Sequence, residues 1–207
     1  MSKRKLEQAE GTRHSLVRVG RQLFASRGFE AVSAEEIVAE AGVTRGALYH
    51  HFDGKNGLFR AVVADAMRDV HDRLARASAG ARSPLDALER GVRCFLETCS
   101  KPAFQRILLI DGPAVLGWHE WRALDLEQGL GLLRQGLAAA IQVNELAEAD
   151  VEIATHVIAG ALVDGAMLIG KDGDAAVRER VLATLMRLIR GLAPAPSPPA
   201  DRSSKHT

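Results

Sequence analysis

The stretch Gly42 to Phe59, GVTRGALYHHFDGKNGLF, gathers an arginine, a tyrosine, two adjacent histidines and a lysine within otherwise helical spacing. Residues of these types serve metal ligation, acid–base catalysis, or contact with the phosphates and base edges of nucleic acid. Metal ligation fits the spacing poorly. Neighbouring side chains on a helix point about 100° apart, so His50 and His51 do not converge on one ion. No Cys, Asp or Glu stands four residues further along the same face, and elsewhere neither a metal-ligand spacing nor a nucleophile–base pair stands out. The expectation is therefore no metal, no cofactor and no enzymatic activity.

Nucleic-acid contact suits the stretch better. On a helical wheel, Thr44, Ala47, Leu48 and His51 fall on one side, and Arg45, Gly46, Tyr49 and His50 on the other. The first set suits a small core. The second suits DNA: Arg45 can fork onto a guanine edge or a phosphate, Tyr49 and His50 can bond phosphate or stack, and Gly46 lets the backbone come close. Lys55 adds a cation at the start of the next helix, where free amides already favour an anion. Phe52, Leu58 and Phe59 read as core residues.

These side chains need helices to hold them, and the chain reads as all-α, with apolar positions recurring at three and four throughout. Helix one is expected over about 12–27, with Gly28 as its stop. Ser33 and Glu36 form a capping box for a short helix over 34–40. Ala41-Gly42-Val43 is a turn, and Thr44 caps a third helix of seven or eight residues. A long helix follows Asp53-Gly54 and runs to near Ala79, carrying Leu58, Val62, Ala66, Val70 and Leu74 on one stripe. Further helices are expected at 84–100, 102–110, 118–142, 149–170 and 174–191, with an Asp111-Gly112-Pro113 break between the second and third. The tail, PAPSPPADRSSKHT, has four prolines and no apolar anchor, and is expected to be disordered.

The totals agree with a water-soluble chain of 207 residues, 47% apolar and 26% charged. The net charge of +1 divides unevenly: residues 1–60 hold ten Lys/Arg against seven Asp/Glu, which permits a polyanionic partner at the front. The start, MSKRKLEQAE, lacks the apolar stretch of a signal peptide. The longest apolar run, Ile153 to Ile169, is interrupted by His156 and Asp164, so no membrane association and a cytoplasmic location are expected. Cys94 and Cys99 lie five apart on one helix, about 8.6 Å on ideal geometry, too far to bridge.

From Arg13 through LFASRGFEAVSAEEIVAEAGVTRGALYHHFDGKNGLFRAVV the sequence resembles the TetR family of bacterial transcription regulators. The resemblance covers nearly a third of the chain. It rests on Gly28-Phe29, Ser33, Ala41-Gly42-Val43, Gly46, Leu48-Tyr49, His51-Phe52, Lys55 and Leu58. It implies a flexible basic arm over 1–10, a helix-turn-helix DNA-binding domain over 11–71, and a helical regulatory and dimerisation domain over 72–192. The tail is 193–207. It also implies that Thr44, Arg45, Gly46, Tyr49 and His50 contact the groove and backbone of a double-stranded operator, with Ser33 and Lys55 on phosphates. Gly54 departs from the polar residue common in the family, which would loosen the entry to the fourth helix.

For the body, the resemblance implies a homodimer and a pocket for a small-molecule effector. Phe95, Phe104, Trp118 and Trp121 are the candidate pocket walls; Trp118 and Trp121 lie three apart on one face and would serve equally to seal a core. Ile158, Leu162, Gly165, Leu185 and Ile189 are the candidate dimer contacts, on an apolar helix rich in small residues and on the apolar stripe of the last helix. Asp164, in that apolar setting, must reach solvent, a partner chain or a ligand. Asp111 is expected only to end a helix. A ligand-responsive homodimeric repressor on a near-palindromic operator is the leading expectation; a regulator without inducer, or an activator, stays open.

Overall fold

The structure, a computed structural model, describes residues 3–128, 130–172 and 174–191, so the tail over 193–207 lies outside the described residues. All regular elements among them are helical. The first helix, α1 (Lys3–Arg27), begins well before residue 12. The segment expected as a flexible arm is thus helical from residue 3. Lys3 to Glu10 has no glycine or proline and is made of strong helix formers, which outweighs its lack of an apolar stripe.

Helices α2 (Ala34–Glu40) and α3 (Arg45–Phe52) follow as expected. The capping box is complete, with the Glu36 amide donating to Ser33 Oγ at 3.1 Å and the Ser33 amide to Glu36 Oε2 at 3.3 Å. Gly28 takes φ +83° and its amide closes on the Phe24 carbonyl at 2.8 Å, a left-handed stop that disfavours any side chain. Leu16, Phe24, Ile37, Leu48 and Phe59 are fully buried among these helices. The Phe24, Phe29 and Phe59 rings meet at centroid separations of 4.9 to 5.7 Å.

The long helix α4 (Lys55–Ser78) joins both halves. Its first turns pack on α1 and α3, and its last lie against α5 (Pro84–Cys99), which opens with Pro84 in its first turn and Ser83 as cap. Arg21 of α1 reaches Asp65 and Asp69 of α4, each at 2.8 Å.

The next segment differs from expectation. Asp111-Gly112-Pro113 is not a break: α6 (Pro102–Phe104) passes into a π-helix, π1 (Gln105–Asp111), and on into α7 (Gly112–Leu116), stopping only at Gly117, φ +77°. A wider turn admits Pro113, which lacks an N–H and would crowd the preceding turn of an α-helix. Over the expected span 118–142 the described residues are helical throughout, as α8 (Trp118–Gln128) and α9 (Leu130–Gln142), with residue 129 between them outside the described residues. The remaining pair is α10 (Val151–Asp172) and α11 (Ala175–Arg190). By length and apolar content Val151–Gly170 would cross a membrane, but one side packs on α5, α9 and α11.

Candidate nucleic-acid interface and internal cavity

The recognition surface starts from Thr44, whose Oγ1 accepts from the Ala47 amide at 3.2 Å and sets the first turn of α3. Leu48 and Phe52 are buried, Ala47 and His51 half-buried, and Arg45, Gly46, Tyr49 and His50 exposed, as the wheel requires. Thr44 is the departure: placed on the core side by the wheel, it is exposed because it lies outside the helix as its cap. The exposed set carries one guanidinium, one phenol and one imidazole over about one and a half turns.

Two of these groups are already engaged. Arg45 sits 2.9 Å from Glu35 of α2 and 5.6 Å above the Tyr49 ring. Bonding to Tyr49 first, and the Glu35 charge second, raise the guanidinium's affinity for its proton. Tyr49 leans over the turn, its ring 3.3 Å from where a Cβ on Gly54 would stand. Gly54 takes φ +93° there, so the residue that departs from the family pattern is the one this turn tolerates best.

Lys55 is placed differently from its expected role. Its Nζ donates to the carbonyls of Phe29 at 3.2 Å and Val32 at 3.1 Å, and lies 3.9 Å over the Phe29 ring. Two of its three N–H groups thus tie down the loop between α1 and α2. Ser33 is exposed, but its oxygen serves as the α2 cap. Glu36, which completes that cap, is held below the usual carboxylate range by Arg27 and by the Ser33 amide.

The body holds a cavity of about 620 Å³, partly open to solvent, among α4, α5, π1, α8, α9 and α10. Of the four expected wall residues, Phe95 and Trp121 line it. Trp118 does not: it is 60% exposed, stacked 5.2 Å from the buried Trp121 ring. Phe104 does not either. It lies between the guanidinium groups of Arg21 and Arg73, at 5.3 and 5.6 Å, and belongs to the joint between α1 and α4.

Trp121 is fixed through π1. Its indole N–H donates to the Leu108 carbonyl at 2.8 Å, and Pro113, five residues beyond Leu108, has no N–H to offer that carbonyl. Gly112 lets the ring approach, since a Cβ there would stand 2.9 Å from it. The two ends of π1 reach further. Gln105 Nε2 donates to the Ala166 carbonyl of α10 at 3.2 Å, and Asp111 Oδ2 accepts from the Phe29 amide at 2.8 Å. Asp111, expected only to end a helix, therefore joins the body to the loop that Lys55 holds. Asp111-Gly112-Pro113 was its only trace in the sequence.

The five expected dimer residues point inward. Ile158, Leu162, Leu185 and Ile189 are buried in this chain's own core, and a Cβ on Gly165 would stand 2.8 Å from Val181. The opposite faces of α10 and α11 are the exposed ones, with Ile153, Val157, Leu168 and Leu188 at 50 to 67% exposure. Asp164 is exposed on that same face. The apolar stripe was visible in the sequence, but α10 is apolar nearly all round, so composition did not say which side turned in. Cys94 and Cys99 are free thiols, and burial pushes the Cys99 thiol far up. No group of three or more metal-ligating side chains occurs among the described residues.

Comparison with known proteins follows the same division. Residues 16–62 match the family model for bacterial regulatory proteins of the tetR family, and residues 85–192 match that for the tetracyclin repressor-like C-terminal domain. A crystal structure of a TetR-family transcriptional regulator from Pectobacterium atrosepticum is 32% identical, covers 95% of this chain and 100% of its own, and superposes with a TM-score of 0.77. The transposon Tn10 TetC protein of Escherichia coli is 29% identical over 74% of this chain and 78% of its own. The HTH-type transcriptional regulator TtgR of Pseudomonas putida is 40% identical over 38% of this chain and 37% of its own. The chain belongs to the TetR family and is a helix-turn-helix DNA-binding transcriptional regulator, not an enzyme.

Proposed function

We propose that the protein is a ligand-responsive homodimeric repressor acting in the cytoplasm, with residues 11–71 as its DNA-binding domain and 72–192 as its regulatory domain. The observation that carries this is the outward set Thr44, Arg45, Gly46, Tyr49 and His50 on a capped helix, opposite a buried Leu48. Two copies place two such helices in successive major grooves of a near-palindromic operator. The uncovered apolar faces of α10 and α11 supply the dimer contact, replacing the inward residues expected from sequence. The cavity supports an effector over the alternative without one, since its volume lies in the range of small-molecule sites.

The effector acts by binding one of two conformations better than the other. Leu108 and Leu109 of π1 line the cavity, and Asp111 of π1 holds the Phe29 amide, so a shift of π1 moves the loop beneath the recognition helix. The test is a titration of selected genomic fragments with wild type, Arg45→Ala and Tyr49→Ala. Both variants bind more weakly while sedimenting as wild type does; equal affinities would sink the assignment. Val157→Asp yields monomers with weak operator binding, and an unchanged dimer would remove this face from the interface.

A further inference from the structure

The cavity wall is mostly aliphatic and aromatic, with Val70, Leu88, Phe95, Trp121, Leu133 and Leu162 among its members. Its few polar groups are mostly spent. Ser78 donates to the Ala87 carbonyl at 3.0 Å, Ser83 caps α5, and Cys99 is a buried thiol kept protonated. Arg82 is 88% exposed and pairs with Asp86 at 3.6 Å. Besides Gln135, which is exposed to solvent, two wall groups keep hydrogen-bonding capacity. Nδ1 of His71, from α4, is buried with no partner among the described residues. Asp125, from α8, gives Oδ2 to Arg122 at 2.9 Å, and Arg122 itself does not border the cavity.

Three kinds of head group compete for such a wall. A cation finds the Asp125 charge already balanced by Arg122, so it enters an apolar space with its own charge uncompensated. A carboxylate meets Asp125 with no spare cation beside it. A hydroxyl carries no charge to desolvate, donates to the remaining Asp125 acceptor sites, and matches His71 Nδ1 in either tautomer because it both donates and accepts. Burial, only partly offset by Arg122, pushes the Asp125 carboxyl above its ordinary range, the mark of an acceptor short of donors. We propose that the cavity takes a neutral, largely apolar molecule bearing a hydroxyl, a phenol or an alcohol, with Asp125 and His71 as its polar contacts. This rests on the body being an effector domain.

The experiment uses the full chain carrying Trp118→Phe, which leaves Trp121 as the sole tryptophan and its emission as the reporter. Four probes share one frame: 4-phenylphenol, biphenyl, biphenyl-4-carboxylate and 4-(aminomethyl)biphenyl. The phenol binds about tenfold or more tightly than the other three, the worth of one good hydrogen bond to a charged acceptor. Asp125→Asn and, separately, His71→Phe shrink that preference while leaving biphenyl binding unchanged. Equal or tighter binding of a charged probe overturns the proposal, as does equal weakening of all four probes in both variants. Failure of every probe with a preparation that still binds selected genomic DNA also overturns it and leaves the regulator intact. The expected probe order without DNA binding supports the pocket chemistry and refutes the repressor reading.

Discussion

In the N-terminal domain, the groups that shape the reading surface find partners close by: Ser33 with Glu36, Thr44 with Ala47, Arg45 with Tyr49. In the body, the corresponding bonds span the chain: Trp121 to Leu108, Gln105 to Ala166, Asp111 back to Phe29. The first region is filled, with three phenylalanine rings in contact at its centre. The second is hollow, with about 620 Å³ of space. A filled reading head is thus joined to a hollow body, and under the proposed ligand response the bonds between them would carry the coupling.

The sharpest way to break this comparison is to truncate one ring in each region. Phe59→Ala, at a fully buried site, costs about 3–5 kcal/mol. Phe95→Ala removes a half-buried ring that faces open space and costs under about 2 kcal/mol, because the cavity it enlarges already exists. Urea denaturation of both variants decides it. Equal losses would mean that the body is packed as tightly as the head.

Next in size is Lys55→Ala. It leaves the Val32 carbonyl without its Lys55 partner and the Phe29 carbonyl with only the Val32 amide at 3.4 Å, and costs about 1–3 kcal/mol, while the salt dependence of operator binding stays near that of wild type. A stable variant with a reduced salt slope would return Lys55 to the phosphate backbone. Asp111→Ala removes one bond between the regions and costs about 1 kcal/mol. Its diagnostic effect is on coupling: ligand binding to the cavity no longer weakens DNA binding to the wild-type extent. Unchanged coupling would place the transmission elsewhere along α4.

The same contrast explains what could be read from the sequence. Ser33/Glu36, Gly28 and the Gly42 turn are local devices, each determined by a few neighbouring residues, so α2, α3 and the outward face of α3 were legible. The bonds of Lys55 to the Phe29 and Val32 carbonyls were not legible because those partners lie on another loop. The arm was taken from the family resemblance, whereas the helix formers from Lys3 to Glu10 already favoured a helix. In the body, Pro113 signalled a break, but a π-turn absorbed it, and the compensating Trp121 N–H comes from another helix. The inward and outward sides of α10 depend on α5, α9 and α11 together, so a helix apolar nearly all round could not reveal them.

Two carboxylates, one in each region, are shifted in opposite directions. Glu36 is held below its ordinary range, so its contribution to stability is present above the unfolded value and lost as pH falls through the folded one. Asp125 is pushed above its range, so its contribution is present below the unfolded value and lost as pH rises through the folded one. Stability profiles of Glu36→Gln and Asp125→Asn should therefore flatten on opposite sides, at low pH for the first and on rising pH for the second. Two variants flattening on the same side would refute one of the two environments.

The smallest effect concerns the ion pair between Glu35 and Arg45, whose side chains are 62% and 63% exposed. Such a pair contributes about 0–1 kcal/mol to stability, so Glu35→Gln leaves unfolding nearly unchanged. Its consequence is for DNA. To reach a guanine edge or a phosphate, Arg45 must leave Glu35, and the carboxylate then faces a polyanion at the rim of the interface. Removing that charge should tighten operator binding several-fold at low salt, with the gain fading as ionic strength rises and the Debye length shrinks to about 8 Å and below. Weaker binding by Glu35→Gln would carry the opposite meaning: Glu35 would be aiming Arg45 at its target, and the pair would be part of the reading surface itself.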